Sequence, residues 1–170
     1  RAGRAKKIWK VVAAELDERG VEYRAYMTKY PGHATKLADM ICNEFDGVKN
    51  IVIVGADGTV NEVINGVHPY QDVILGLIPV GKGNDLAKGL GLPLDPLKAL
   101  ERVIEPKRYQ YVDHGVLNFY DGSTPRRFAV SAGVGLDASV SYEASRSPLK
   151  MILNKLGLDK PVYFLIGVKG

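Results

Sequence analysis

Two aspartates stand in matching surroundings. Asp57 lies in Gly55-Ala56-Asp57-Gly58-Thr59, and Asp85 closes Gly81-Lys82-Gly83-Asn84-Asp85. Each stretch follows an apolar run and precedes a helix-like pattern. Glycine lets a backbone approach a phosphate closely and take conformations closed to other residues. A helix opening at such a loop offers unpaired N–H groups and the positive end of its dipole to an anion. A carboxylate beside a polyphosphate would repel it. It makes sense there if it holds Mg²⁺, its waters, or the donors that orient phosphate. An aspartate can also take the proton of an attacking hydroxyl. The plain alternative is that both are turn residues or helix caps. Two such loops at successive apolar runs shift the balance toward a nucleotide site.

Two familiar phosphate motifs fail. Gly76 to Lys82 fits Gly-x4-Gly-Lys, but Gly83 stands where Ser or Thr is required, and Gly76 sits inside an apolar run. Gly81-Lys82-Gly83 opens like a dinucleotide fingerprint, yet Leu86 occupies the third glycine position.

The elements around the loops alternate. Residues 4–19 place Ile8, Trp9, Val12, Ala13 and Leu16 on one helix face, with Gly20 as the stop. Residues 21–28 alternate through Val21, Tyr23, Ala25 and Met27 and predict a strand. Residues 33–45 predict a helix with Ala34, Leu37, Ala38, Ile41, Cys42 and Phe45 on one face. Ile51–Val54 and Val73–Val80 predict parallel strands buried on both faces. A helix carrying Val60, Val63, Ile64 and Val67 separates them. A short helix follows the second loop, and Asp95-Pro96 opens another that runs to about Ile104. The pattern predicts an α/β fold with a parallel sheet and helices on both faces. From Pro106 the texture changes. Residues 108–119 and 126–133 predict antiparallel strands around a turn at Asp121-Gly122-Ser123. The expected domains are therefore 1–105 and 106–170, with further helix in the second, a loop at Ser145–Pro148 and a break at Gly157.

Other residues have local explanations. Asn61 and Glu62 suit a solvated first helical turn, and Asn65-Gly66 a helix stop. His33 suits a helix start. Cys42 and Trp9 suit the core.

The 170 residues are 46% hydrophobic and 25% charged, which fits a globular chain with its own core. No run approaches the roughly 20 apolar residues of a membrane span. One cysteine excludes an intrachain disulfide, so a cytoplasmic, reducing compartment is expected. The formal charge of +4 is mild and its basic residues are dispersed, so no nucleic-acid partner is expected. The Arg1 start and the apolar run from Val162 to Ile166 read as a piece of a longer chain.

Val54-Gly55-Ala56-Asp57-Gly58-Thr59-Val60-Asn61-Glu62-Val63-Ile64-Asn65-Gly66 resembles the GGDGT-x-NE-x-x-NG motif of the diacylglycerol kinase catalytic family. Ile78-Pro79-Val80-Gly81-Lys82-Gly83-Asn84-Asp85-Leu86-Ala87 resembles its second motif, IPxGTxNDFAR. Arg1-Ala2-Gly3, Thr28 with Gly32-His33-Ala34, Tyr111-Val112-Asp113-His114-Gly115 and Gly135-Leu136-Asp137-Ala138 resemble further segments, in the family's order. The resemblance implies an NAD-kinase-like α/β domain followed by a β-sandwich domain. It implies transfer of the γ-phosphate of ATP, with Mg²⁺, to a lipid hydroxyl at a membrane surface. Thr28, the Gly55–Thr59 loop, Glu62 and the Gly81–Asp85 loop would bind the nucleotide. Asp57, Asp85 and Asp113 would form an acidic and water network around metal and phosphates. A homodimer is compatible with it.

Three departures matter. Ala56 and Lys82 replace the usual glycine and threonine, and an alanine disfavours positive φ. The family's catalytic acidic residue and direct metal ligands lie farther along the second domain, beyond this chain, so the chain alone is expected to be inactive. NAD kinase shares the first motif and is the enzymatic alternative. A catalytically dead nucleotide-binding protein is the other.

Overall fold

The computed structural model describes residues 2–81, 83–133 and 138. Lys82, residues 134–137 and the elements expected beyond Ala138 lie outside the described residues. The chain divides into two compact units, Arg1–Val130 and Ser131–Gly170. The parallel sheet and its helices lie in the first.

Helix α1 spans Ala2–Glu18, α2 His33–Glu44, β1 Lys49–Gly55, α3 Asp57–Gly66, β2 Val73–Pro79, α4 Asp85–Gly89 and α5 Pro96–Ile104. Strands β3 (Gly115–Leu117) and β4 (Arg126–Phe128) follow. β1 and β2 pair in parallel with Ile51 beside Leu75 and Ile53 beside Leu77. Successive side chains point to opposite faces of a strand. Ile53, Ile51 and Leu77 therefore meet Ala34, Ala38, Val60 and Val63 of α2 and α3. Val54 and Ile78 meet Val12, Leu16, Ala99 and Leu100 of α1 and α5 on the other face. Ile78 and Leu100 are essentially fully buried, each stabilising by about 1.5–3 kcal/mol relative to exposure. Gly76 lies inside β2, where a Cβ would stand 3.0 Å from a Val103 methyl. It closes the gap to α5 and cannot belong to a phosphate loop.

The helix ends follow local chemistry. Gly20 (φ 63°) and Gly91 (φ 65°) take the left-handed conformation. After α1, Gly20 N–H donates to Asp17 and Val21 N–H to Leu16; after α4, Gly91 N–H donates to Lys88 and Leu92 N–H to Ala87. Each pair satisfies carbonyls that a helix end leaves open. Asp95 caps α5 by accepting the Lys98 N–H at 3.0 Å.

Residues 21–28 form no strand. Val21 and Tyr23 pack against α1 instead, while Ala25 and Met27 are exposed. Val21 packs beside Leu16. The Tyr23 ring stands edge-on to Trp9 at 5.8 Å, and its hydroxyl donates to Asp17 at 3.0 Å. That bond raises the phenol's pKa above its ordinary value. Periodicity reports an apolar face and does not say whether a ladder partner exists. The antiparallel pair is likewise shorter than expected, at three residues a strand, with residues 106–114 irregular. Its turn forms as predicted. The Asp121 carboxylate accepts the Ser123 N–H at 2.9 Å, which holds it below the usual carboxylate range. The pair belongs to the first compact unit.

Candidate functional site

Parallel pairing brings the carboxyl ends of β1 and β2 side by side, with Gly55 opposite Pro79. The ladder continues into the loops, because Val80 N–H donates to the Gly55 carbonyl at 2.9 Å. α3 opens directly after β1 and α4 shortly after β2. The two glycine-and-aspartate loops are thus neighbours, as the sequence requires of a shared site.

Ala56 is the N-cap of α3 at φ −107°, ψ 177°. This is extended backbone that any residue adopts, so its methyl imposes no strain there. Its carbonyl accepts Thr59 N–H at 2.8 Å and Val60 N–H at 3.2 Å. The methyl instead makes demands across the site. A Cβ on Gly81 would stand 2.6 Å from Ala56 Cβ, so the facing residue has to be glycine.

Asn84 staples the second loop. Its Oδ1 accepts the Gly81 N–H at 2.9 Å and its Nδ2 donates to the Gly81 carbonyl at 2.8 Å. It is buried and holds φ 51°, the one positive φ outside glycine among the described residues. Asparagine tolerates that region better than most residues. Asn84→Ala loses two hydrogen bonds at about 1 kcal/mol each and retains the backbone strain. Asn84→Gly loses the bonds but relieves the strain. Urea unfolding is expected to rank them wild type, then glycine, then alanine.

With Asn84 turned back on its loop, α4 has no cap of its own. Asp57 provides one from the neighbouring helix. Its Oδ2 accepts the Asp85 N–H at 3.0 Å and its Oδ1 the Leu86 N–H at 3.2 Å. Glu62 does the same for α2, whose N-cap is Gly32. Its Oε2 accepts the Ala34 N–H at 3.1 Å, and its carbonyl accepts the Thr35 hydroxyl at 2.9 Å. α3 therefore caps both of its neighbours, and a carboxylate at each N-terminus also suits the dipole. Glu62 lies at a helix junction, where one of its carboxylate oxygens is engaged with the Ala34 amide.

Asp57 and Asp85 converge on Gly83. A Cβ there would lie 3.4 Å from Asp57 Oδ2 and 3.5 Å from Asp85 Oδ2. Asp85 is exposed, with Lys88 Nζ at 3.5 Å from its Oδ1. These are hard oxygen donors. Mg²⁺ is commonly held by one or two carboxylates, with waters and phosphates completing its shell, so this pair fits such an ion. Asp113 is exposed in the irregular stretch before β3. Among the described residues no group of three or more His, Cys, Asp or Glu side chains could hold a metal. Thr28 is exposed in the connection between α1 and α2. Gly58 and Thr59 fall in the first turn of α3, where Thr59 leans over Gly55, whose Cβ would stand 2.8 Å from that of Thr59.

Sequence reasoning missed one feature. Asn65, read as part of a helix stop, pairs with the backbone of Arg127 in β4. Its Nδ2 donates to the Arg127 carbonyl at 2.8 Å and its Oδ1 accepts the Arg127 N–H at 2.9 Å. The Arg127 guanidinium donates to the Ile64 and Val67 carbonyls at 2.9 and 2.7 Å. Nothing local in either segment announces the pairing.

No helix among the described residues is long and apolar enough to cross a membrane. Residues 1–115 match the family model for the diacylglycerol kinase catalytic domain. The chain is 34% identical over 161 residues to the Bacillus subtilis (strain 168) protein YtlR, covering 92% of this chain and 52% of the relative. It is 36% identical over 142 residues to a diacylglycerol kinase of Staphylococcus carnosus, covering 82% and 43%. A Bacillus subtilis diacylglycerol kinase is 35% identical over 161 residues, covering 93% and 48%. The chain spans about half the length of these curated relatives. With its matched loops side by side at the carboxyl ends of a parallel sheet, the chain belongs to the diacylglycerol kinase catalytic domain family.

Proposed function

We propose that this chain is the nucleotide-binding part of a kinase that transfers the γ-phosphate of ATP to the hydroxyl of diacylglycerol or a related lipid. The observation that carries the reading is the pair of loops held together by Asp57. Phosphate transfer depends on positioning and on fixed charge rather than covalent chemistry. Here the backbone of Gly55–Thr59 and Gly81–Asp85 would line the polyphosphate, with Thr28 nearby in the nucleotide site. Asp57, Asp85 and Asp113 would hold Mg²⁺ through water, as part of an acidic network around the phosphates. The ion, when bound, would neutralise charge developing on the transferred group. Asp57 keeps both loops in register and holds the α4 amides in place. It is also the group proposed to accept the proton of the attacking hydroxyl. Ala56 lies in ordinary extended backbone, which removes one ground for reading the site as dead.

In chain order the lipid-facing domain would begin near Pro106. The lipid would be met at a membrane surface by a cytoplasmic protein, as a monomer or a homodimer. The test is transfer of labelled phosphate from Mg-ATP to diacylglycerol in mixed micelles, using the protein at its natural length. Labelled phosphatidic acid is the expected product. Transfer to sphingosine or NAD instead would change the acceptor, and silence on all three would sink the kinase reading.

A further inference from the structure

The phosphate loops and their aspartates sit at one end of α3, and the other end is clamped. Four hydrogen bonds join Asn65, the Ile64 carbonyl and the carbonyl of the C-cap Val67 to the single residue Arg127. The Asn65 amide presents a donor and an acceptor to the Arg127 backbone, as a neighbouring strand would. One guanidinium nitrogen takes both Ile64 and Val67 carbonyls, which a helix C-terminus leaves open. A cation there is also favoured by the dipole. The hairpin that supplies Arg127 is slight, at three residues a strand, with Val116 and Leu117 exposed. Polar bonds of this number on so small an element fix its placement.

We infer that Arg127 and Asn65 are positioning residues for the phosphate loops. α3 has ten residues, a rod of about 15 Å. Along it stand the Arg127 clamp, the Glu62 cap on α2 and the Asp57 cap on α4, in that order from the C-terminus. A tilt of the rod released at the clamp swings its far end, where the Asp57 carboxylate must meet two amides at once. The clamp therefore sets how well the Asp85 and Leu86 amides are held, and through them the affinity for nucleotide. Only this last step rests on the nucleotide-binding reading.

The test uses the protein at its natural length, with Arg127→Ala, Arg127→Lys and Leu100→Ala. Leu100 lies in the core on the opposite face of the sheet, so its variant controls for lost stability. Hydrogen exchange is followed in the peptide covering residues 83–90, well below the melting temperature. Arg127→Ala is expected to speed exchange there about tenfold, the scale of one hydrogen bond to a charged group lost from the support of the loop. Leu100→Ala should leave that peptide as in wild type although it melts earlier. A lysine keeps the positive charge at the helix end but is one bond shorter than the guanidinium, so Arg127→Lys should restore part of the protection. Mg-ATP affinity, measured on the same samples, should fall in parallel. Unchanged exchange in Arg127→Ala, or an equal rise in Leu100→Ala, overturns the inference. If wild type binds no Mg-ATP, the nucleotide reading fails, while the exchange result still decides the clamp.

Discussion

Gly66→Ala is expected to destabilise the protein by about 3 kcal/mol, the upper end of what one inserted methyl costs in a filled space. The methyl would land on the Thr35 carbonyl and 2.8 Å from Ala38 Cβ. The first is backbone, so no side chain can swing away. α2 cannot retreat freely either. Thr35 donates to the Glu62 carbonyl at 2.9 Å, and the Glu62 carboxylate holds the Ala34 amide at 3.1 Å. Separating the helices would break both bonds and open the cluster of Ala34, Ala38, Val60 and Val63. Helix propensity acts in the opposite direction, favouring alanine by up to about 1 kcal/mol. Gly58→Ala supplies the contrast, since a Cβ at Gly58 meets nothing within 4 Å. Urea unfolding should show a large loss for Gly66→Ala and no loss for Gly58→Ala. A neutral or stabilising Gly66→Ala would mean that α2 and α3 do not pack in this way.

Gly66 also shows where sequence reading stopped. An asparagine and a glycine at the end of an apolar helix pattern are a fair sign of a stop, and α3 does end there. Their other roles depend on segments far along the chain. Asn65 answers to Arg127, and Gly66 to Thr35. The same limit explains the caps. An N-cap is recognised by a short polar side chain just before the helix, which found α5 through Asp95. α2 is preceded by Gly32 and α4 by Asn84, whose side chain is engaged with Gly81. Their caps come from Glu62 and Asp57 on another helix. Charge and spacing marked Asp57 as a candidate site residue, and the structure shows that it joins the two loops. The residues 21–28 failed as a strand for a related reason, because two apolar residues against α1, Val21 and Tyr23, start an alternation that looks in sequence like a strand. The parallel pair and the helix that opens at each loop were legible. Their signals are short-range, a β-branched run followed by glycine and a helical period.

Asp57 caps α4 and is proposed to act on metal and phosphate, which makes its substitution the strongest test of the site. Asp57→Asn is expected to reduce phosphate transfer at least about 100-fold, the scale of a lost fixed charge in a preorganised site. It should also lower stability. A carboxylate accepts at both oxygens, and here each meets an N–H, from Asp85 and Leu86. An amide offers one acceptor, and its nitrogen would face the second N–H as a rival donor. One hydrogen bond to a charged acceptor is worth about 1.5–3 kcal/mol, so a measurable fall in the urea midpoint should accompany the loss of transfer. That coincidence alone would leave cause and support entangled. Asp85→Asn separates them. Among the described residues its carboxylate has one polar contact, a lysine at 3.5 Å, and it stands in solvent. Removing its charge costs little structure. If the two carboxylates act together on metal and phosphate, Asp85→Asn loses transfer about 10- to 100-fold with an unchanged midpoint. If Asp85→Asn transfers normally while Asp57→Asn is both unstable and inactive, Asp57 serves as a cap and the acidic pair is not the seat of the charge. Full activity in a destabilised Asp57→Asn would remove the aspartate from the chemistry altogether, leaving the loops to act through their backbone.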